Sequence, residues 1–107
     1  MVRALIFGAT GYTGLELIRI LSSHPDVSVV GGSSRNWAGK MASEALPFIF
    51  PGKDFKLSTL EDLRSNPRAD VAFLALPHGE SMAVIRPLLD SGLKVVDLSA
   101  DLRLNEA

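Results

Sequence analysis

The chain has 107 residues, of which 47% are hydrophobic, and a formal net charge of −1. That length suits one modest domain with a real core, and the near-neutral balance argues against a general electrostatic grip on nucleic acid or an anionic membrane. No cysteine occurs, which removes disulfides, thiolate metal sites and a cysteine nucleophile from consideration.

No apolar run approaches the ~20 residues that cross a bilayer as a helix. The N-terminus "MVRALIFGATG" has too short an apolar run for a signal peptide, so a cytoplasmic protein is expected. "VRALIF" is the length of a strand and too short for a buried helix. "GATGYTG" interrupts it, and "LELIRILSSH" follows with Leu17, Ile18 and Leu21 at helical steps. His24-Pro25 ends that helix, with His24 on the surface. "VSVVGG" is a second, β-branched strand. "SSRNWAGKMASEALPFIFPGK" reads as a loop holding one helical turn, and "FKLS" as a short third strand. "TLEDLRSNP" predicts a short helix capped by Thr59, with Asp62 three residues on. "ADVAFLALP" reads as the most buried strand. "GESMAVIRPLLDSG" predicts a helix with Met82, Ile85, Leu88 and Leu89 on one face, a kink at Pro87, and Gly92 at its C-terminus. "LKVVDLSA" is the last strand. Strands separated by helix-length segments need crossover connections. The expected fold is therefore an α/β, three-layer, doubly wound Rossmann-like parallel sheet of spatial order 3-2-1-4-5, ending after about the fifth strand.

Gly8, Gly11 and Gly14 fall between the first strand and the first helix, at the end of the sheet where such folds bind ligands. Gly8 would permit the sharp turn, Gly11 would let the backbone approach a pyrophosphate, and Gly14 would let the helix pack on the strand. The helix N-terminus then offers unpaired N–H groups and about half a positive charge to phosphates. The spacing, G-x-x-G-x-x-G, also suits a capping loop with no ligand. The second strand discriminates further. Dinucleotide folds that prefer NAD carry an acid at its end for the ribose 2′-hydroxyl. Here the strand runs into "VVGGSSRNW", with Ser33, Ser34 and Arg35 and no acid. An arginine can bind a 2′-phosphate through charge-assisted hydrogen bonds, so NADP is the expected cofactor. Lys40 adds a second positive charge from the following loop.

"LPHG" closes the fourth strand on the same side. Pro77 and Gly79 would shape a turn against the cofactor ribose or nicotinamide, and His78 is either a reacting group or an exposed turn residue. Ser99, Asp101 and Arg103 either meet a substrate or are solvated. Trp37 either covers the adenine or anchors its loop. No metal-ligand spacing appears.

"GATGYTGLELIRILSSHP", "SSRNWAGK", "FLALPHGESM" and "VVDLSADLRL" together resemble the N-terminal part of the N-acetyl-γ-glutamyl-phosphate reductase family, NADP-dependent enzymes of arginine biosynthesis. The resemblance runs from Leu5 to Leu104, with Leu102 where the family usually has Phe. Lysine-pathway reductases and aspartate-semialdehyde dehydrogenases share the layout, but "LPHG" and "LSADLRL" fit the acylglutamyl-phosphate group better. The resemblance implies an oxidoreductase that reductively dephosphorylates an acyl phosphate. A cysteine forms a thioester as phosphate leaves, NADPH delivers hydride, and the semialdehyde departs. It also implies cofactor binding by the loop from Gly8 to Gly14, including Thr10, Tyr12 and Thr13, and by Ser33 to Arg35.

The family's cysteine and catalytic histidine lie in or beside a second domain. The expectation is therefore a single NAD(P)-binding domain over residues 1–107, with the C-terminal catalytic and substrate domain absent and no catalytic residue of its own. Such a chain would bind NADP(H) without turnover and would meet no nucleic acid or membrane. An apolar edge strand left open pairs readily with another copy, so a homo-oligomer is expected. A short-chain dehydrogenase opens with a similar loop but needs Tyr-x-x-x-Lys, and Tyr12 is followed four residues on by Glu16. A non-catalytic NADP sensor would use the same loop.

Overall fold

Strand β1 (Val2–Phe7) is buried continuously from Ala4 to Phe7. Unbroken burial marks a central strand covered on both faces. The computed structural model describes residues 1–46, 49 and 53–98. After β1 come α1 (Tyr12–Ser22), β2 (Val27–Ser33), α2 (Ala42–Ala45), β3 (Leu57–Ser58), α3 (Leu60–Ser65), β4 (Val71–Leu74), α4 (His78–Asp90) and β5 (Lys94–Asp97). The sheet runs β3-β2-β1-β4-β5, and every pairing is parallel. The chain thus winds outward from β1 in one direction and then in the other. The break between the two windings lies beside β1, where α/β sheets open a crevice.

Side chains of β1 alternate between two cores. Ile6 joins Ile18 and Leu21 of α1, with Leu57 and Phe55, on one face. Leu5 and Phe7 join Ala72 and Leu74 of β4, with Val84 and Leu88 of α4, on the other. Helices on both faces of one sheet give the expected three layers. No described helix is long and apolar enough to cross a membrane.

The register carries one irregularity. Ala4 pairs with Val29 but Leu5 pairs with Gly31, so Val30 is an extra residue bulging from β2. Two consecutive glycines after it are the sequence signal for such a bulge.

Four expectations need correction or refinement. Helix α1 begins at Tyr12, before Leu15, because Gly11 serves as its N-cap. Strand β4 is not the most buried, since Val71 and Phe73 are only half-buried, and β1 holds that place. The inward face of α4 is Ser81, Val84, Ile85 and Leu88, whereas Met82 and Leu89 are 64% and 48% exposed. The helix also continues through Pro87 to Asp90. Proline has no N–H to give the carbonyl four residues back. Here Arg64 Nη1, from α3, donates instead to the Ala83 carbonyl at 3.5 Å. Beyond Asp90, Gly92 (φ +88°) donates to the Leu89 carbonyl and Leu93 to that of Leu88. That pair of bonds is a Schellman C-terminus, as the glycine implied.

The loop after β2 folds back on the sheet, and its one helical turn is α2. The Ser43 amide and hydroxyl, in the first turn of α2, both donate to Asp54, at 2.9 and 2.6 Å. The Ser43 hydroxyl holds the Asp54 carboxyl below the usual carboxylate range, slight desolvation opposes it, and the Ser43 and Phe55 amides assist.

Candidate functional site

A cleft of about 610 Å³ opens at the C-terminal ends of β1, β2 and β4. Gly8, Thr10 and Gly11 line its middle, Ser33 to Asn36 and Thr59 to Leu60 one wall, and Ala75 to Pro77 with Glu80 the other.

The glycines of the loop do three different things. Gly8 has φ +86°, and a Cβ there would lie 2.5 Å from the Ala75 carbonyl oxygen. Gly14 has ordinary helical geometry, but its Cβ would lie 2.0 Å from the Gly8 oxygen and 2.9 Å from the Ala9 Cα. Both are required by the close approach of α1 and β4 to the turn. Gly11 is different. Its φ of −80° suits any residue, and a Cβ would meet only the Gly8 oxygen at 3.6 Å. The fold tolerates a side chain at Gly11, and what glycine preserves there is the open cleft. A fourth glycine, Gly32, was not singled out from the sequence. Its Cβ would sit 2.8 Å from that of Ala9, so it admits the loop against β2.

Hydrogen bonds fasten this loop to β2. The Gly8 amide donates to Ser33 Oγ at 2.8 Å and the Ala9 amide to the Ser33 carbonyl at 2.8 Å. Thr10 Oγ1 and Ser34 Oγ are 2.8 Å apart, and Ser34 Oγ also accepts from the Trp37 amide. Ser33 and Ser34 are only 3% and 5% exposed. Their hydroxyls are therefore engaged in holding the cleft's shape. Trp37 is half-buried against the core beside β2, so it anchors its loop.

Two helices end at the cleft without a capping side chain, α1 behind Gly11 and α4 behind Pro77. By contrast, Thr59 Oγ1 caps α3 by accepting from the Asp62 amide at 3.1 Å, as the sequence implied. First-turn amides lack intrahelical acceptors, and their partial positive charge favours an anion. Across the mouth, Arg35 Nη2 donates to Glu80 Oε2 at 3.1 Å.

Of the residues singled out from the sequence, Gly8, Thr10, Gly11, Ser33, Ser34, Arg35 and Pro77 come together on the cleft. Gly14 sits beneath the loop, Tyr12 and Thr13 lie on α1 with Tyr12 84% exposed, and Lys40 and Gly79 are exposed. None of these five is among the described lining residues. His78 opens α4, and His24 is exposed after α1. Ser99, Asp101 and Arg103 lie outside the described residues. Asn36, Thr59, Leu60, Ala75, Leu76 and Glu80 are lining residues that sequence reasoning missed. Asn36 and Leu76 lay inside the stretches "SSRNW" and "LPHG" without being named, and Thr59 was read as a cap. A smaller hollow of about 190 Å³ between α1 and β2 is lined largely by Ile18, Val27, Val29 and Phe55. Its Lys53 ammonium is committed to the Ser22 carbonyl at 2.9 Å.

Comparison with known proteins agrees with this geometry. A family model described as semialdehyde dehydrogenase, NAD binding domain, matches residues 3–107. An N-acetyl-gamma-glutamyl-phosphate reductase of Geotalea daltonii is 46% identical over 107 residues, which is 100% of this chain and 31% of that protein. One from Methanosarcina mazei is 47% identical, covering 98% of this chain and 31% of that protein. The chain thus spans about a third of the length of these curated relatives. Among solved structures, aspartate semialdehyde dehydrogenase with NADP from Candida albicans superimposes with a TM-score of 0.73 at 24% identity, over 91% of this chain and 29% of that one.

Proposed function

We propose, since this chain belongs to the family of semialdehyde dehydrogenase NAD-binding domains, that it is the NADP-binding segment of an N-acetyl-γ-glutamyl-phosphate reductase of arginine biosynthesis. The observation that carries the reading is the glycine turn over an uncapped helix. Gly8 and Gly14 are demanded by packing, while Gly11 leaves open the approach to the α1 N-terminus. A cradle that a side chain would fill, beside unpaired first-turn amides, fits a pyrophosphate. Thr10 and the buried Ser33 and Ser34 hold that cradle in shape, and Pro77 with Gly79 would shape the wall on the α4 side.

The preference for NADP over NAD rests on Arg35. It stands exposed at the end of β2, where an NAD-selective cleft would present an acid. Its guanidinium is suited to a 2′-phosphate, with Lys40 adding positive charge nearby. When bound, the cofactor supplies the hydride that takes an acyl group to the aldehyde level. The substrate of the whole reductase is then an acyl phosphate, its setting the cytoplasm and its form a homo-oligomer. This chain, having no cysteine, is expected to bind the cofactor without forming a thioester.

Calorimetric titration with NADP and NAD tests the reading. NADP should bind more tightly. Arg35→Ala should remove about 1.5–3 kcal/mol from NADP binding and little from NAD binding. Equal affinities in the unmutated chain would refute the NADP preference, and no binding of either would refute the function.

A further inference from the structure

The Arg35–Glu80 pair joins two elements 45 residues apart in sequence and ties together the two walls of the cleft. The two partners are held unequally. Arg35 is 81% exposed, so little packing fixes its side chain. Glu80 is 38% exposed and sits in the first turn of α4, where the helix N-terminus favours a carboxylate. The acid has a second reason to stay, and the guanidinium is the partner that can leave.

We propose that Glu80 is a specificity-determining residue of the cleft: its carboxylate competes with a 2′-phosphate for Arg35, and so lowers the preference for a phosphorylated dinucleotide. This rests on the reading of the cleft as an NADP site. A carboxylate and a phosphate monoester present similar acceptor oxygens to the same guanidinium fork. The phosphate, with about −1.5 to −2 of charge, outcompetes the acid. The ion pair is exposed, and such pairs are weak, so the competition reduces NADP affinity by only about 1.5- to 5-fold. A dinucleotide without the 2′-phosphate has nothing to gain from Arg35 and leaves the pair closed.

The test is a double-mutant cycle, read as NADP and NAD dissociation constants by calorimetry, with melting curves to show that each variant folds. Glu80→Gln keeps the side chain's length and removes its charge. It should raise the ratio of NADP to NAD affinity by about 1.5- to 5-fold, the range for releasing an exposed pair. Glu80→Ala should act in the same direction. In an Arg35→Gln background, Glu80→Gln should raise the ratio less, since only direct repulsion between the carboxylate and the 2′-phosphate is then relieved. An unchanged or lowered ratio in the single variant, or a rise just as large without Arg35, overturns the proposal while leaving the NADP reading intact. No binding of either dinucleotide by the unmutated chain overturns both.

Discussion

Gly11→Val places a branched side chain at the N-cap of α1 and separates what the ligand needs from what the fold needs. The backbone there has φ −80° and ψ 171°, which valine adopts without strain. Its Cβ would meet only the Gly8 oxygen, at 3.6 Å. Losing glycine at an N-cap costs about 1 kcal/mol. Restricting the unfolded chain offsets about 0.4–1 kcal/mol of that. The net change is therefore within about 1 kcal/mol, or a melting shift of no more than about 4–8 °C for a domain of this size. Binding should respond very differently. The valine methyls stand where a pyrophosphate would reach the first-turn amides. Losing one hydrogen bond to a charged group is worth about 1.5–3 kcal/mol, so affinity for NADP and NAD alike should fall about 10- to 150-fold. Gly14→Ala is the contrasting variant. Its methyl would lie 2.0 Å from the Gly8 oxygen, and backbone must move to admit it. Overpacking of that kind costs about 1–3 kcal/mol, more than the ~1 kcal/mol of helix propensity gained. Thermal melts and calorimetric titration of both variants give the comparison. If Gly11→Val unfolds while Gly14→Ala does not, or if it binds both dinucleotides normally, the assignment of roles to these glycines is wrong.

Two further predictions concern stability. Asp54 has its pKa lowered in the folded state, so its contribution is present above the ordinary carboxylate value of about 3.9 and is lost as pH falls through the depressed folded value. Asp54→Asn should therefore lower stability at neutral pH, with the gap to the unmutated chain closing below about pH 4; urea melts from acid to neutral pH check this, and a gap that stays constant refutes it. Pro87→Ala should stabilise α4 by no more than about 1 kcal/mol, from the regained backbone hydrogen bond less the proline's stiffening of the unfolded chain. Arg64→Ala should then cost less in the Pro87→Ala background than alone, and equal costs in a double-mutant melt would show that Arg64 does not substitute for the missing amide.

Much of this was legible because strands and turns announce themselves locally. "VRALIF" is continuous and apolar because β1 is covered on both faces, and the crossover lengths fix a parallel sheet. Gly8 and Gly14 were read correctly because a tight turn and a close helix each exclude a Cβ. The face of α4 was misread because the large apolar residues were counted. Ser81 is fully buried, and Met82 and Leu89 point outward. Size alone does not say which side of a helix meets the sheet. Ser33 and Ser34 were read as cofactor-binding residues, and no local pattern announced that their hydroxyls also fasten the loop to β2. Arg64 with Ala83 and Arg35 with Glu80 were invisible for a different reason. Each joins separate elements, and no periodicity carries such a pairing.

The bulge at Val30 has a consequence for how this strand can change over generations. Along a strand, successive residues face opposite sides, so removing one residue inverts every position after it. Val30 is exempt, because Val29 and Gly31 already lie opposite the successive residues Ala4 and Leu5, so losing Val30 would leave Gly32 facing Ala9 and Ser33 facing the Gly8 amide. Inserting a further residue between Val29 and Ser33 would instead demand a second bulge or invert the positions that follow, unfastening the loop that the strand supports. Length variation among descendants of this sequence should therefore tolerate loss of the bulged residue, disfavour single insertions in β2, and accumulate past Trp37, where the chain has left the sheet.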